Sequence, residues 1–438
     1  MTFLGNKHTS FYILFAILII FLFARYAFQY DVPRYALSIV IMLMALFGDQ
    51  DEILAALMCC IPLHNAVNFS ITLIVCATIY MLKNIQKLNF GFSTVIILLM
   101  VVYELLHANI GSFQPLFFFA DMAPLFVLLA VMSVDLKGIG YAFIVRTMAV
   151  ILVSLGMTLI VNNIINTGSF FSVVTDMQRL GIIGEDVVVY GAGINPNTLG
   201  ILNVLAICSL LQVRLIGRYI RVDSILIVFL LVFGILTVSR TFFVCFLFMG
   251  ILFVFGQAGE IQNKIVALLK MSIVIIISLI VIGIFFPETL EYFIMRFIIT
   301  DVTTITTSRD ILMYDYYHYI ANNLGVMLFG VGLNDFAEKV LNIYMISTHT
   351  PHNSILEIIA AWGIVGLILV LLLLVAIIID SKSHVNIIIV NYIPLYVILL
   401  KSMAGQLLTS GYSMLAMSFV YLSLCQDFTK KKLENKSY

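Results

Sequence analysis

The chain has 438 residues, of which 62% are hydrophobic and 11% charged. A soluble chain is roughly half apolar and about a quarter charged, so this composition excludes a soluble enzyme. Its 23 Lys and Arg balance its 23 Asp and Glu, which also excludes a global basic field of the kind that recruits nucleic acid.

Apolar stretches separated by polar breaks predict helices near 11–29, 35–48, 91–107, 115–132, 139–165, 196–213, 222–238, 241–256, 267–286, 353–378, 387–403 and 409–426. The first resembles a signal peptide, but Arg25 follows it without a clear small-residue cleavage site, so it reads as an uncleaved helix. Between 53 and 82, Pro62, His64, Asn65 and Asn68 interrupt the pattern, and two short helices that enter and leave one face are expected there. The fold class is therefore all-α: one polytopic integral membrane domain over 1–438, with about 12 to 14 transmembrane helices. The six cysteines all fall inside apolar runs, where thiols act as small hydrophobes.

Most cations lie on one side of this topology, from Lys7, Lys83 and Lys87 through Arg214, Arg218 and Arg221 to Lys382 and the Lys430–Lys432 run. The positive-inside rule makes that side, and both termini, cytoplasmic. Two long connections then face outward: a smaller external loop at 166–195 and a large one at 287–350. The large loop carries an amphipathic stretch from Arg309 to Asn323, with Ile311, Leu312, Tyr316, Tyr319 and Ile320 as its apolar positions, and is expected to form an ordered, partly helical cap. The buried Glu104, Arg146 and Lys401 are expected to pair as helix-packing ions.

Four helix starts fall on the outward side. Ser239-Arg240 and Ser308-Arg309 place a capping serine before an arginine, while Asn195-Pro196-Asn197 and Thr350-Pro351-His352-Asn353 place proline at the first helical position. A helix N-terminus already carries about half a positive charge, so an arginine there calls for an anion. Backbone N–H groups and guanidinium forks both match phosphate oxygens, and a pyrophosphate would satisfy several such starts at once. The competing reading is that these arginines snorkel to lipid headgroups. His349 and His352 stand at a metal-like spacing without a third ligand, and no metal is expected. Asp49-Gln50-Asp51 has the form of a sugar-transferase D-x-D but is expected to be a solvated turn on the cytoplasmic side. The aromatic run Tyr314, Tyr316, Tyr317 and Tyr319 is expected to be an interfacial belt.

Thr237-Val238-Ser239-Arg240-Thr241, Ser308-Arg309, Gly330-Val331-Gly332-Leu333, and Pro351-His352-Asn353-Ser354-Ile355-Leu356-Glu357 followed by Trp362-Gly363-Ile364-Val365-Gly366 together resemble the O-antigen polymerase and O-antigen ligase superfamily of bacterial envelope glycosyltransferases. Asn195-Pro196-Asn197 is also similar to a segment common in the polymerases. The resemblance runs from about residue 190 to 370. It implies metal-independent glycosyl transfer, without a cofactor, at the outer face of the bacterial inner membrane. The donor and acceptor would be undecaprenyl-pyrophosphate-linked glycans among membrane lipids, and a chain-length regulator is a further partner compatible with it. Arg240 and Arg309 would stabilise the leaving diphosphate and His352 would act as general base. Ser239, Ser308, Asn353, Arg296, Arg179, Asn195 and Asn197 would contact substrate. Polymerase is the favoured reading. The alternatives are an O-antigen ligase acting on lipid A core and a lipid-linked oligosaccharide flippase, and the latter would call for internal repeats that the chain lacks.

Overall fold

A computed structural model describes residues 8–110, 115–167, 172–174, 177–180, 195–256, 261–285, 287, 291, 294, 309–333, 351–382, 389–403, 405–408 and 410–428. In chain order the helices are α1 (Thr9–Leu22, continued by a π turn Phe23–Ala27), α2 (Arg34–Phe47), α3 (Gln50–Cys59), α4 (Phe69–Lys83), α5 (Phe92–Ile110), α6 (Pro115–Met132), α7 (Tyr141–Thr167), α8 (Pro196–Leu215), α9 (Arg221–Leu236), α10 (Arg240–Gly256), α11 (Ile261–Phe285), α12 (Arg309–Asn322), α13 (Leu324–Phe329), α14 (Ser354–Lys382), α15 (Ile393–Ser402) and α16 (Gly411–Leu424). A two-stranded antiparallel ribbon, β1 (Ser172–Val174) with β2 (Met177–Arg179), pairs Ser172 with Arg179 within the smaller loop. The rest of the described chain is helical, turn or irregular, as an all-α chain should be.

Four helical segments, Thr9–Ala27, Tyr141–Ile165, Pro196–Leu215 and Ser354–Lys382, are long and apolar enough to cross a membrane. Large apolar side chains face outward along the bundle, among them Ile13, Ile20, Leu98, Val102, Val228, Val244, Ile276, Ile280, Ile368 and Leu371. Polar side chains such as Glu104, Asn203, Gln212, Asp223 and Glu357 are buried. That inside-out distribution marks a membrane protein, because lipid solvates an apolar exterior and leaves polar groups to find partners within.

The interrupted region forms two short helices, as expected. Residues Ile53 to Ile61 are all inaccessible to solvent, and ten residues of α3 rise only about 15 Å. Asp49-Gln50-Asp51 is not a solvated turn. Asp49 caps α3 in a reciprocal box with Glu52, Gln50 donates to the Asp135 carbonyl at 3.2 Å, and Asp51 accepts from Gly140 N at 3.0 Å. Capping and tertiary tethering use the same carboxylates that a sequence reading assigns to water. His8 joins Glu52 at 2.8 Å, which accounts for the metal-like grouping of His8, Asp49 and Glu52.

The buried ions resolve differently from the expectation that they pair with one another. Arg146 on α7 forms a bidentate pair with Asp223 on α9, at 2.7 and 2.9 Å. Glu104 on α5 accepts from the indole of Trp362 at 2.5 Å and from Leu333 N at 3.0 Å. Lys401 forms no ion pair among the described residues. Asp223 is wholly buried and also accepts from Ile220 N at the start of α9. Asp223→Ala is therefore expected to destabilise the bundle by about 3 kcal/mol, because it strands the Arg146 guanidinium. Thermal unfolding in detergent checks this, and Arg146→Met in the same chain should recover part of the loss.

Candidate functional site: a pocket where helix starts converge

The helix starts expected at Asn195 and Ser239 form as the local chemistry requires. Asn195 accepts from Asn197 N at 2.8 Å and Pro196 is the first residue of α8, a position where its missing N–H costs nothing. Ser239 Oγ accepts from Phe242 N at 3.3 Å, capping α10, and donates to Asn197 Oδ1 at 2.9 Å. The two starts are thereby tied together, with Arg240 as the first residue of α10 and partly exposed. α12 begins at Arg309, as expected.

The fourth start departs from expectation. Pro351 is not the first helical residue. His352 has φ +48, so α14 begins only at Ser354, with Asn353 Oδ1 accepting from Ile355 N and Leu356 N at 3.0 and 3.2 Å. Val238, just before Ser239, is also left-handed at φ +46. A left-handed β-branched or bulky residue costs on the order of 1–3 kcal/mol and persists where surrounding structure over-determines it. His352 lines the pocket described below, and Val238 lies three residues before its lining residue Thr241.

That pocket has a volume of about 150 Å3. Asn195, Asn197, Thr198 and Ile201 line it from α8, Thr241 from α10, and His352 from the approach to α14. Lys401 at the end of α15, Gly405, Gln406 and Ser410 from the following turn, and Tyr412 from α16 complete it. Thr198 donates to the Tyr412 hydroxyl at 3.3 Å, and Ser354 to the Gly405 carbonyl at 3.2 Å. Glu357, buried on α14, accepts from Leu407 N and Leu408 N at 2.8 and 3.4 Å, fastening the turn after α15 over the start of α14. N-termini of α8, α10, α14 and α16 thus meet at one place, and no carboxylate lines it among the described residues. Aligned peptide dipoles and hydroxyl donors make such a place receptive to an anion.

Beside it lies a larger, apolar groove of about 360 Å3, bounded by Phe248, Asn353, Ser354, Ile355, Tyr396, Leu399, Leu400, Ser402 and Met403. His352 borders the polar pocket and its neighbour Asn353 the apolar groove; Lys401 and Ser402 divide in the same way. Asn353, read as a substrate contact, caps α14 and borders the groove.

The large-loop helix α12 packs on α14 and α13. Tyr316, Tyr319 and Ile320 are buried beneath it, whereas Ile311, Tyr314 and Tyr317 are exposed. The aromatic run is therefore split between core and surface, since residues three apart on a helix share a face: Tyr316 with Tyr319 inward, Tyr314 with Tyr317 outward. Burial, and after it the charge of Glu357, pushes the Tyr316 phenol up to about 12, which keeps it a neutral group at pH 7. The helix thus covers the start of α14.

Among the expected site residues the structure gathers His352, Asn195 and Asn197 at the pocket wall, with Ser239 bonded to Asn197 and Arg240 beside the lining residue Thr241. Ser308, Arg296 and His349, and the side chains of Arg309 and Arg179, lie outside the described residues. Lys401, Ser410 and Tyr412 were missed as site residues. A lone lysine inside an apolar helix was the available signal, and it was assigned to helix packing. Comparison of the chain with protein-family models, with curated proteins and with solved structures finds no match. Fold and site define an all-helical membrane protein with a donor-rich pocket at a convergence of helix N-termini.

Proposed function

We propose that the chain is a membrane glycosyltransferase of the O-antigen polymerase type, joining undecaprenyl-pyrophosphate-linked repeat units at the outer face of a bacterial cytoplasmic membrane. The observation that carries this reading is the meeting of the α8, α10 and α14 starts around His352, next to an apolar groove. A lipid diphosphate needs both halves: donors for its phosphates and an apolar surface for its tail. Orientation supports it too. α8 and α14 start at the pocket and carry Arg214 and Lys382 near their far ends, so the positive-inside rule turns the pocket outward.

In the reaction, an acceptor sugar hydroxyl attacks the anomeric carbon of the donor. The new C–O bond forms as the bond to the diphosphate oxygen breaks, the hydroxyl proton passes to His352, and lipid diphosphate departs. Arg240 and the helix N-termini would stabilise the charge that develops on the leaving oxygen. His352 is suited to the proton because a histidine titrates near neutrality. Arg309, the first residue of α12, is the second arginine this reading assigns to the diphosphate.

Purified protein incubated with a synthetic lipid-diphosphate repeat unit, with and without chelator, is expected to yield a ladder of oligomers in both cases. A protein that makes no ladder but consumes lipid A core would be a ligase. One that moves the lipid across vesicles without making bonds would be a flippase.

A further inference from the structure

We propose that Lys401 forms the floor of an oxyanion subsite in this pocket, its ammonium holding a phosphate or carboxylate oxygen of the ligand. Lys401 is 7% exposed near the end of α15 and lines the pocket together with His352. Its ammonium donates to the Gln406 carbonyl at 2.6 Å and to Ser413 Oγ at 2.7 Å, and it lies 4.8 Å from the centre of the Tyr412 ring. All three partners are neutral. An ammonium has three donors; two are taken up by these bonds, and the Tyr412 hydroxyl is a further side-chain partner beside it.

The contrast with Arg146 is informative. That cation, 24% exposed and so less buried than Lys401, nonetheless has its carboxylate in the wholly buried Asp223, as ions inside a bundle normally do. Lys401 has no such partner among the described residues, and Glu357, on the helix behind the same turn, is engaged by the Leu407 and Leu408 amides. Desolvating an ammonium without a counter-charge costs several kcal/mol. What distinguishes Lys401 from a packing ion is that it borders a cavity of about 150 Å3 whose other described walls are mostly hydroxyls and amides at helix starts, with the His352 imidazole and Ile201. Gly405 permits this: a Cβ there would stand 3.0 Å from Lys401 Cε and 3.3 Å from Nζ, so any side chain would crowd the ammonium. The missing negative charge is supplied by the ligand.

Two sources offer that chemistry: a phosphate of the lipid diphosphate and the carboxylate of an acidic sugar. The inference deepens the proposed transferase reading by saying what the pocket grips, yet its test needs no glycosyl transfer. Full-length protein in detergent would be titrated calorimetrically with inorganic pyrophosphate and, separately, with glucuronate. The wild type is expected to bind at least one. Lys401→Met should weaken that binding tenfold or more, whereas Lys401→Arg, which keeps the charge, should stay within about threefold. Without ligand, Lys401→Met should melt no lower than the wild type, because it removes an uncompensated buried charge. Pyrophosphate binding assigns the phosphate source and glucuronate binding the acidic sugar. The subsite is overturned if neither anion binds, if Lys401→Met binds as the wild type does, or if that variant melts lower without ligand, as a merely structural lysine would. Ladder formation judges the transferase separately: a chain that binds anions through Lys401 but makes no ladder keeps the subsite and loses the reaction, and the converse loses only the subsite.

Discussion

His352→Asn is expected to lower the rate of repeat-unit joining by about 10²- to 10⁴-fold, the usual contribution of a positioned general base, while the protein stays in the membrane at the wild-type level. Asparagine is the informative replacement because His352 sits at φ +48, where asparagine is better tolerated than most side chains. It keeps the loop that leads into α14 and removes the imidazole. Arg240→Ala should cost about 10²- to 10³-fold, the loss typical of one donor to developing negative charge. Arg240→Lys should recover little, since an ammonium lacks the planar fork that matches phosphate oxygens. The measurement is polysaccharide length in cells that depend on each variant, read against membrane abundance. If the His352 and Arg240 variants all still made long chains, the transferase site would lie elsewhere.

Gly330→Ala is expected to have the largest structural effect. α14 is broken at Gly363, whose φ is +68, and the break leaves the Ala360, Ala361 and Trp362 carbonyls without their ordinary helical donors. The large loop supplies replacements. Val331 N donates to Ala360 O at 3.1 Å, Gly332 N to Ala361 O at 2.7 Å, and the Tyr103 hydroxyl reaches Trp362 O at 3.0 Å. Glu104 locks the same junction through Trp362 and Leu333. Gly330 lies at φ +78, and a Cβ on it would come within 2.2 Å of Ala361 O; a Cβ on Gly363 would meet Leu328 O at the same distance. Backbone strain of about 1–3 kcal/mol for an alanine at φ +78 and ψ −171, a region open essentially to glycine alone, and overpacking of about 1–3 kcal/mol together would detach α13 from α14. Limited proteolysis should then cut near residue 330 in the variant and leave the wild type intact there. Equal protection in both proteins would mean that the junction has another support.

This junction explains why a G-x-G segment and a Trp-Gly pair about 30 residues apart belong together: each glycine makes room for the other's backbone. Neither needs to touch substrate. From the chain alone they could be noticed but not connected, because what requires them is a contact between segments distant in sequence.

The amino-acid sequence by itself determined that the protein is helical and lipid-solvated, and where most helices begin. Apolar length and polar interruption are local, and so is the bond from Asn195 or Ser239 to an amide two or three residues on. Only the tertiary structure decided which partners those side chains would have. It gave Arg146 a carboxylate and, among the described residues, Lys401 none, turned Asp49 from a solvated group into a cap, divided the tyrosines of α12 between core and surface, and brought four helix starts to one pocket. The physical reason is that charge, strain and close approach take their energies from whatever lies within a few ångströms, and in a bundle those neighbours come from everywhere along the chain.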